Sequence, residues 1–310
     1  LNSQSLSISA AQTATFTVTA AADNPIAGNV VGSTSVTTRA EVLKFNVKNN
    51  TDVSAIFNSG TITATSTNAT TTVSVELWDG TTQVSSAAPA ASGAVTWSNF
   101  TLPIAANTTK TLTVKAVIVQ LASDYAGGDT VTISTGPILS GIDANSNVAT
   151  ATGTAVTGNA QSIYLAGPIF SLVSTAFPVT GDTTHPYSTG KAKIVFSITA
   201  AGTNDIYVGT TGSATSTITP VPATASSTVA NGFTCTGGAT ADSTTGWRIT
   251  AGSTATCESN TTIQLTATYA GAYYQVAVKQ VAWGTSTGSY TNTHSVGWND
   301  FKTGQEYLAY

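Results

Sequence analysis

Residues 110–119 read Lys-Thr-Leu-Thr-Val-Lys-Ala-Val-Ile-Val, and this stretch decides the fold class. Its first half alternates, because Leu112, Val114 and Ala116 fall on one side of an extended chain and polar residues fall on the other. Period-two alternation with β-branched residues predicts a strand that has one solvent-facing side. The last three residues are apolar on both sides, which predicts that this end is more deeply covered.

Two further stretches of the chain show the same alternation and predict strands of the same kind. Residues 41–48 and 71–78 each carry three apolar side chains on one side of an extended chain. These apolar residues are Leu43, Phe45 and Val47 in the first stretch and Val73, Val75 and Leu77 in the second. We predict that the three strands form the centre of a β-sandwich. No stretch keeps a helical apolar period for more than two turns, so we expect an all-β chain with essentially no helix.

The length of 310 residues predicts two domains, because it is long for one sandwich. Turn signals separate short alternating segments along the chain, as Asp79-Gly80 does directly after the strand at 71–78. Such spacing is typical of antiparallel sandwiches with Greek-key connections. The sequence Ala-Gly-Pro at 166–168 predicts a linker, so the predicted domains are residues 1–166 and 167–310.

The composition predicts a surface with little charge and many hydroxyl groups. Only 8% of the residues are charged, about a third of the usual share. The net charge of −4 and the scattered basic residues exclude a nucleic-acid groove, which needs clustered Lys and Arg. Soluble proteins usually stay apart through surface charge. A neutral surface therefore favours a protein that packs against copies of itself or lies in a glycan coat.

The N-terminal residues lead us to expect an exported protein. The chain begins Leu-Asn-Ser and contains no Met. We expect that a signal peptide has been removed and that the protein acts outside the cell or on its surface, with trimming of the chain as the alternative. No run of about 18 apolar residues occurs, so we expect no membrane span.

Cys235 and Cys257 are the two cysteines, and they lie in the same region of the second domain. A lone pair in an exported β protein predicts one disulfide between neighbouring strands, with two reduced buried thiols as the alternative. Two cysteines without a nearby His cannot complete a zinc site.

Residues 1–22 form an uncharged, alternating segment that contains no Pro. One interpretation is a pair of ordinary strands of the first sandwich. The other is a donor segment that completes the sheet of a neighbouring copy by strand addition. The inserting side chains would then be Leu6, Ile8, Phe16 and Val18.

Asp143, Asn145 and Asn147 form an Asp-x-Asn-x-Asn pattern, and alternate oxygen ligands of this kind can hold Ca²⁺. The pattern lacks the Gly and the distant acidic ligand of the usual calcium loop. Asp124 or Asp129 would have to supply the missing charge. Asx residues also form turns without a metal, so a structural calcium site and a plain turn are both open. No other cofactor is expected.

Five Asn-x-Ser/Thr sequons are candidates for glycosylation, although a Thr-rich chain produces such sequons by chance. They begin at Asn49, Asn68, Asn99, Asn107 and Asn260. Among the tryptophans, Trp78 and Trp97 lie in predicted strands and are expected in the core. Trp298, between two small polar or flexible residues, is the best candidate for stacking on a sugar.

Residues 284–288, Gly-Thr-Ser-Thr-Gly, match the pattern of a nucleophile elbow around Ser286. That motif needs a sharp turn from a strand into a helix, and the sequence after residue 288 predicts no helix. His294 follows closely, but a catalytic base also needs a third group to orient it. We therefore expect no enzymatic activity.

Three strand segments and two further short stretches resemble exported immunoglobulin-like surface proteins of environmental bacteria. The segments are residues 42–48, 75–80, 108–115, 141–145 and 300–303, the last followed by Tyr307-Leu308. The resemblance covers about half of the chain, and its motifs are structural. It implies two tandem immunoglobulin-like sandwich modules of the kind used in envelopes, adhesins and filaments. It implies no catalytic residue.

The sequence as a whole predicts a structural subunit of an extracellular assembly, either a pilus-like filament or a surface layer. Export, low charge, two sandwiches and the alternating N-terminal segment favour a homopolymer joined by strand addition and by contacts between sandwiches. The alternative is a monomeric surface adhesin or carbohydrate-binding module, with glycans as partners.

Overall fold

The computed structural model describes residues 12–67, 72–90, 93–125, 127–209, 214–219, 225–229, 232–242, 246–265, 271–294 and 300–310. No residue in these ranges lies in a helix, and the central strands of each sheet pair antiparallel. The all-β prediction is therefore confirmed for the described chain. The same ranges contain no helix that is long and apolar enough to cross a membrane.

The chain divides into two compact units, and the chain passes between them more than once. Tyr164–Tyr310 forms the second unit together with two short excursions, Ala27–Thr34 and Ala122–Gly127. The first unit consists of the chain around these excursions, up to Ile163. The boundary expected after residue 166 thus lies slightly earlier. Short excursions of this kind leave no composition signal in the sequence.

The strands are numbered here in chain order. Up to residue 164 they are β1 (Phe16–Ala20), β2 (Gly28–Val31), β3 (Thr38–Asn49), β4 (Ala55–Ser66), β5 (Thr72–Asp79), β6 (Thr82–Ala87), β7 (Ala94–Ile104), β8 (Thr109–Ile118), β9 (Asp129–Asp143), β10 (Val148–Thr152) and β11 (Gln161–Tyr164). The second part begins with β12 (Ala166–Ala176), β13 (Val179–Thr180), β14 (Thr189–Gly202), β15 (Ile206–Gly209), β16 (Ala214–Thr219) and β17 (Ala225–Val229). It continues with β18 (Thr234–Gly237), β19 (Ala239–Asp242), β20 (Gly246–Ile249), β21 (Thr254–Leu265), β22 (Ala272–Gly284), β23 (Asn292–His294) and β24 (Glu306–Leu308).

Strand β8 lies at the middle of the first sheet, whose order is β1-β3-β8-β5-β6. The three strands expected at the centre are therefore neighbours. Val114 of β8 lies opposite Leu43 of β3 on one side and Leu77 of β5 on the other, and all three side chains are fully buried. The end of β8 is covered on both sides, as its apolar residues predicted, with Val117 and Ile118 buried.

The facing sheet of the first unit contains β11-β9-β4-β7, and β10 pairs with β9. Its fully buried side chains include Phe57 and Trp97. The Trp97 indole N–H donates a hydrogen bond of 2.9 Å to the carbonyl of Val75 in the first sheet. The indole thereby satisfies its polar atom while it fills the space between the sheets. Trp97 is a core residue, as its strand pattern predicted.

The second unit also consists of two sheets. One has the order β12-β14-β21-β17, with β13 on β14 and β18 on β21, and the other has the order β16-β22-β15-β20-β19, with β23 and β24 on β22. Phe196, Tyr274 and Trp283 are its largest buried side chains. Cys235 of β18 lies directly opposite Cys257 of β21, and the two form the expected disulfide inside this core.

Candidate interaction surfaces

The second half of the N-terminal segment belongs to its own chain's sheet. Residues of β1 pair with β3 from Phe16 opposite Asn49 to Ala20 opposite Phe45. The Phe16 ring packs edge-on against Phe57 of the facing sheet, with ring centroids 5.0 Å apart. Phe16 and Val18 thus complete the first unit, which corrects the part of the donor hypothesis that assigned them to a neighbour. A donor role is left only for residues 1–11.

Leu6 and Ile8, the other two expected donor residues, lie outside the described residues. Their place in a neighbour's sheet stays a prediction.

The loop after β9 is an Asx turn centred on the buried carboxylate of Asp143. One carboxylate oxygen accepts hydrogen bonds from the backbone N–H groups of Asn145 at 2.8 Å and Asn147 at 2.9 Å. The other accepts from the Asn147 side chain at 3.1 Å and from the backbone N–H of Ala14 at 3.2 Å. The Asn145 side chain donates to the carbonyl of Gln12 at 2.8 Å. This loop therefore anchors the chain immediately after residues 1–11.

The Asp143 carboxylate accepts four hydrogen bonds from N–H donors, so the turn is held together by the protein alone. A calcium ion at this loop stays a prediction. Asp129 cannot supply the missing charge. It begins the strand that Asp143 ends, so the two residues are about 45 Å apart along β9. Within the described ranges, no group of three His, Cys, Asp or Glu side chains is placed to hold a metal ion.

The Asx turn around Asp143 makes the stability of the first unit depend on pH in the acid range. Burial raises the pKa of Asp143, but its N–H donors outweigh burial and hold the pKa below its usual value. A lowered pKa in the folded state stabilises the fold above the unfolded pKa of about 3.9, and this contribution is lost as the pH falls through the folded pKa. We expect Asp143→Asn to lower the thermal midpoint of the first unit at pH 7, and the difference from the wild type to shrink in acid. A difference that is equal at neutral and strongly acid pH would contradict this role.

The basic residues of the first unit are clustered rather than scattered. Five of the ten Lys and Arg residues precede residue 164, and all five lie on the adjacent strands β3 and β8. Lys44 lies 3.0 Å from Asp23 and 3.3 Å from Glu41, and Lys115 lies 3.7 Å from Glu41. Arg39 and Lys110 likewise lie beside Glu76 and Asp79, so four of the five cations on this face have an acidic neighbour.

Glu76 and Trp78 continue this polar face on β5. Glu76 is only 3% exposed, and its carboxylate accepts hydrogen bonds from Arg39 Nε at 3.0 Å and from Trp78 Nε1 at 2.8 Å. The Lys115 ammonium lies 4.4 Å from the centre of a Trp78 ring. Trp78 is half-buried on the outer side, so its expected place in the core was wrong. Alternation from Leu77 already places Trp78 on the polar side.

Strand β12 presents a free sheet edge. It pairs with β14 on one side, with a bulge at Val173. On its other side the Asn29 side chain donates to the Pro168 carbonyl at 3.4 Å, and no strand in the described part of the chain pairs with residues 169–176. Residues 169–176, Ile-Phe-Ser-Leu-Val-Ser-Thr-Ala, contain neither a charge nor a proline. Ile169 is 47% exposed, Leu172 is 37% exposed and Val173 is 58% exposed. Most proteins protect an edge of this kind with charge, Pro or a covering segment, because its unpaired N–H and C=O groups accept another chain.

The four described sequons differ in accessibility, since Asn68 lies outside the described residues. Asn49 is fully buried, donates to the carbonyl of Val53 at 2.7 Å and accepts from the Thr51 hydroxyl at 2.9 Å. A glycan cannot be accommodated on this side chain in the folded unit, so Asn49 is removed from the candidates. Asn99, Asn107 and Asn260 are exposed and stay candidates.

The nucleophile-elbow pattern forms a tight hairpin. Ser286 forms an isolated bridge with Ser289, Gly288 has a φ of 67°, and strand β23 follows instead of a helix. His294 stacks on Phe170 with ring centroids 4.8 Å apart, and burial lowers its pKa to about 4. The backbone geometry that lifts a nucleophilic serine above a sheet is absent from this described segment. Trp298, the candidate sugar-stacking residue, lies outside the described residues.

Comparison with protein-family models and with curated proteins finds no match to this chain. The geometry of the described residues is therefore the basis for inferring a function. The free β12 edge is the feature that most needs a partner.

Proposed function

We propose that the protein is a structural subunit of an extracellular assembly, a filament or a surface layer, in which copies join by strand addition at β12. In this proposal each unit is an immunoglobulin-like sandwich and the chain is exported. The free, uncharged edge of β12 is the observation that carries the proposal. The disulfide in the second unit and the low charge of the chain support it.

Strand addition at β12 would satisfy backbone groups that otherwise depend on water. Each new hydrogen bond between backbones contributes about 1 kcal/mol net. Ile169 and Val173 would lose water contact at the same time, and burying an aliphatic side chain fully contributes about 1.5–3 kcal/mol. Because residues 169–176 carry no charge, a second uncharged strand meets no electrostatic barrier. Several such contributions together can offset the loss of conformational entropy when a short segment becomes ordered.

Residues 1–11 of a neighbouring copy are the proposed donor. They are uncharged, contain no Pro and alternate around Leu6 and Ile8. A fully extended chain of this length reaches about 36 Å, enough to pair along most of β12. The Asp143 loop holds the chain at Gln12 and Ala14, so the donor extends from a fixed point. Alternate side chains of the donor would contact the exposed Ile169 and Val173.

A pair of Val→Lys variants tests the acceptor edge. Val173→Lys places a charge on β12, and we expect it to abolish polymers while both units stay folded, because Val173 is 58% exposed. Val148→Lys is the matched control, since Val148 is 75% exposed on β10 in the first unit, and it should assemble normally. Assembly is measured by light scattering after size exclusion and by electron microscopy. If wild-type protein is a stable monomer at high concentration, or Val173→Lys polymerises like the control, the proposal fails.

A further inference from the structure

A small pocket lies at one end of the second unit, and none of residues 169–176 lines it. Its volume is about 260 Å³. Segments from five parts of the chain meet there, including both ends of the turn between β22 and β23. The lining residues are Ser123, Asp124, Tyr125, Gly127, Tyr164, Leu165, Ala166, Asn204, Thr285 and Asn292. Loop clusters at the end of a sandwich are a common position for binding sites.

Tyr164 is the aromatic wall of this pocket and is held in place by its neighbours. Its ring packs edge-on against the buried Trp283, with centroids 4.8 Å apart. Gly127 lies so close that a Cβ atom there would be 2.5 Å from the Tyr164 ring, and its φ of 79° also favours glycine. Burial raises the pKa of Tyr164, so its phenol stays protonated at neutral pH and can donate a hydrogen bond.

The polar lining selects a neutral ligand that has several hydroxyl groups. Asn204 and Asn292 each offer an amide donor and acceptor, and Asp124 offers a carboxylate that can accept from two hydroxyls. Within the described chain, Asp124 and Asn292 make no side-chain hydrogen bond that a ligand would have to displace. No Lys or Arg is among the described lining residues, which disfavours an anion.

We propose that this pocket binds a single neutral sugar ring. The volume is below the roughly 300–1,000 Å³ of pockets for drug-sized ligands, and a hexose ring is a compact ligand with hydroxyls around its edge. The amide and carboxylate groups of the lining can bind the hydroxyls of such a ring by hydrogen bonds. The proposal does not depend on assembly, because none of the lining residues belongs to residues 169–176.

Ligand-observed NMR with methyl glycosides of glucose, galactose, mannose and N-acetylglucosamine tests the pocket. We expect at least one to bind at millimolar concentration. Asn292→Ala and Asp124→Asn should each weaken that binding about tenfold, as loss of a hydrogen bond to a polar ligand predicts. Asn260→Ala is the matched control, since Asn260 is exposed on β21 and does not line the pocket. Binding of none of the four glycosides, or equal binding by wild type and both pocket variants, would overturn the proposal. Val173→Lys should bind the sugar like wild type, which separates this proposal from assembly.

Discussion

Deletion of residues 1–22 is expected to destabilise the first unit, whereas deletion of residues 1–11 should leave it folded and unable to polymerise. The longer deletion removes β1 and uncovers an edge of β3. Phe16 and Val18 are both half-buried, and removing each loses about 1.5 kcal/mol of burial free energy. We therefore expect the free energy of unfolding of the first unit to fall by about 3 kcal/mol. The shorter deletion keeps the hydrogen bonds of Ala14 to Asp143 and of Gln12 to Asn145.

Urea unfolding of the two truncated chains and of the full chain measures these effects. Tryptophan fluorescence reports on both units, through the buried Trp97 in the first and Trp283 in the second, and only the first-unit transition is expected to move. Polymer content is followed for each chain in parallel. Equal stability of the two truncated chains would contradict the pairing of β1 with β3 in the same chain. Polymerisation of the chain that lacks residues 1–11 would exclude those residues as the donor.

Replacement of both cysteines by Ala is expected to lower the free energy of unfolding of the second unit by about 3 kcal/mol. The disulfide joins residues 22 apart. Closing a loop of this size lowers the conformational entropy of the unfolded chain, which stabilises the folded unit by about 3 kcal/mol. Cys235 and Cys257 are also buried in the core between the sheets, so their sulfur atoms contribute packing. The loss is large for one unit, because single domains are stable by only about 5–15 kcal/mol.

Calorimetry of the double Ala variant measures this loss. The transition of the first unit, which contains neither cysteine, serves as the internal control. We expect only the second transition to move to lower temperature. Equal midpoints for the variant and the wild type would show that the disulfide does not stabilise this unit.

The core strands could be predicted because their physical cause is local. Strands β3, β5 and β8 each bury an apolar side in the core and carry mostly polar residues on the other side, which produces the alternation that the sequence shows. The disulfide could also be predicted, since two cysteines in one region leave a single pairing. Asp143 was singled out as either a calcium ligand or a turn residue, and the structure shows the turn; its bond to Ala14 joins positions 129 apart, and such a contact leaves no local pattern.

The free edge and the charge cluster could not be predicted, because both depend on which strands become neighbours. The apolar run at 169–176 looks the same in sequence whether a strand covers it or not. The basic residues of β3 and β8 are separated by about 60 to 75 positions and meet only when the strands pair. Asn49 looks accessible as a sequon, but it caps a turn from inside the fold.

Amide hydrogen exchange of residues 169–176, compared between monomer and assembly, tests strand addition most directly. In an edge strand about half of the amides point away from the sheet and exchange readily. We expect exchange of this segment to slow by about tenfold or more in the assembly, while β10 (Val148–Thr152) keeps its monomer rate. An assembly in which residues 169–176 exchange as fast as in the monomer would contradict strand addition at β12.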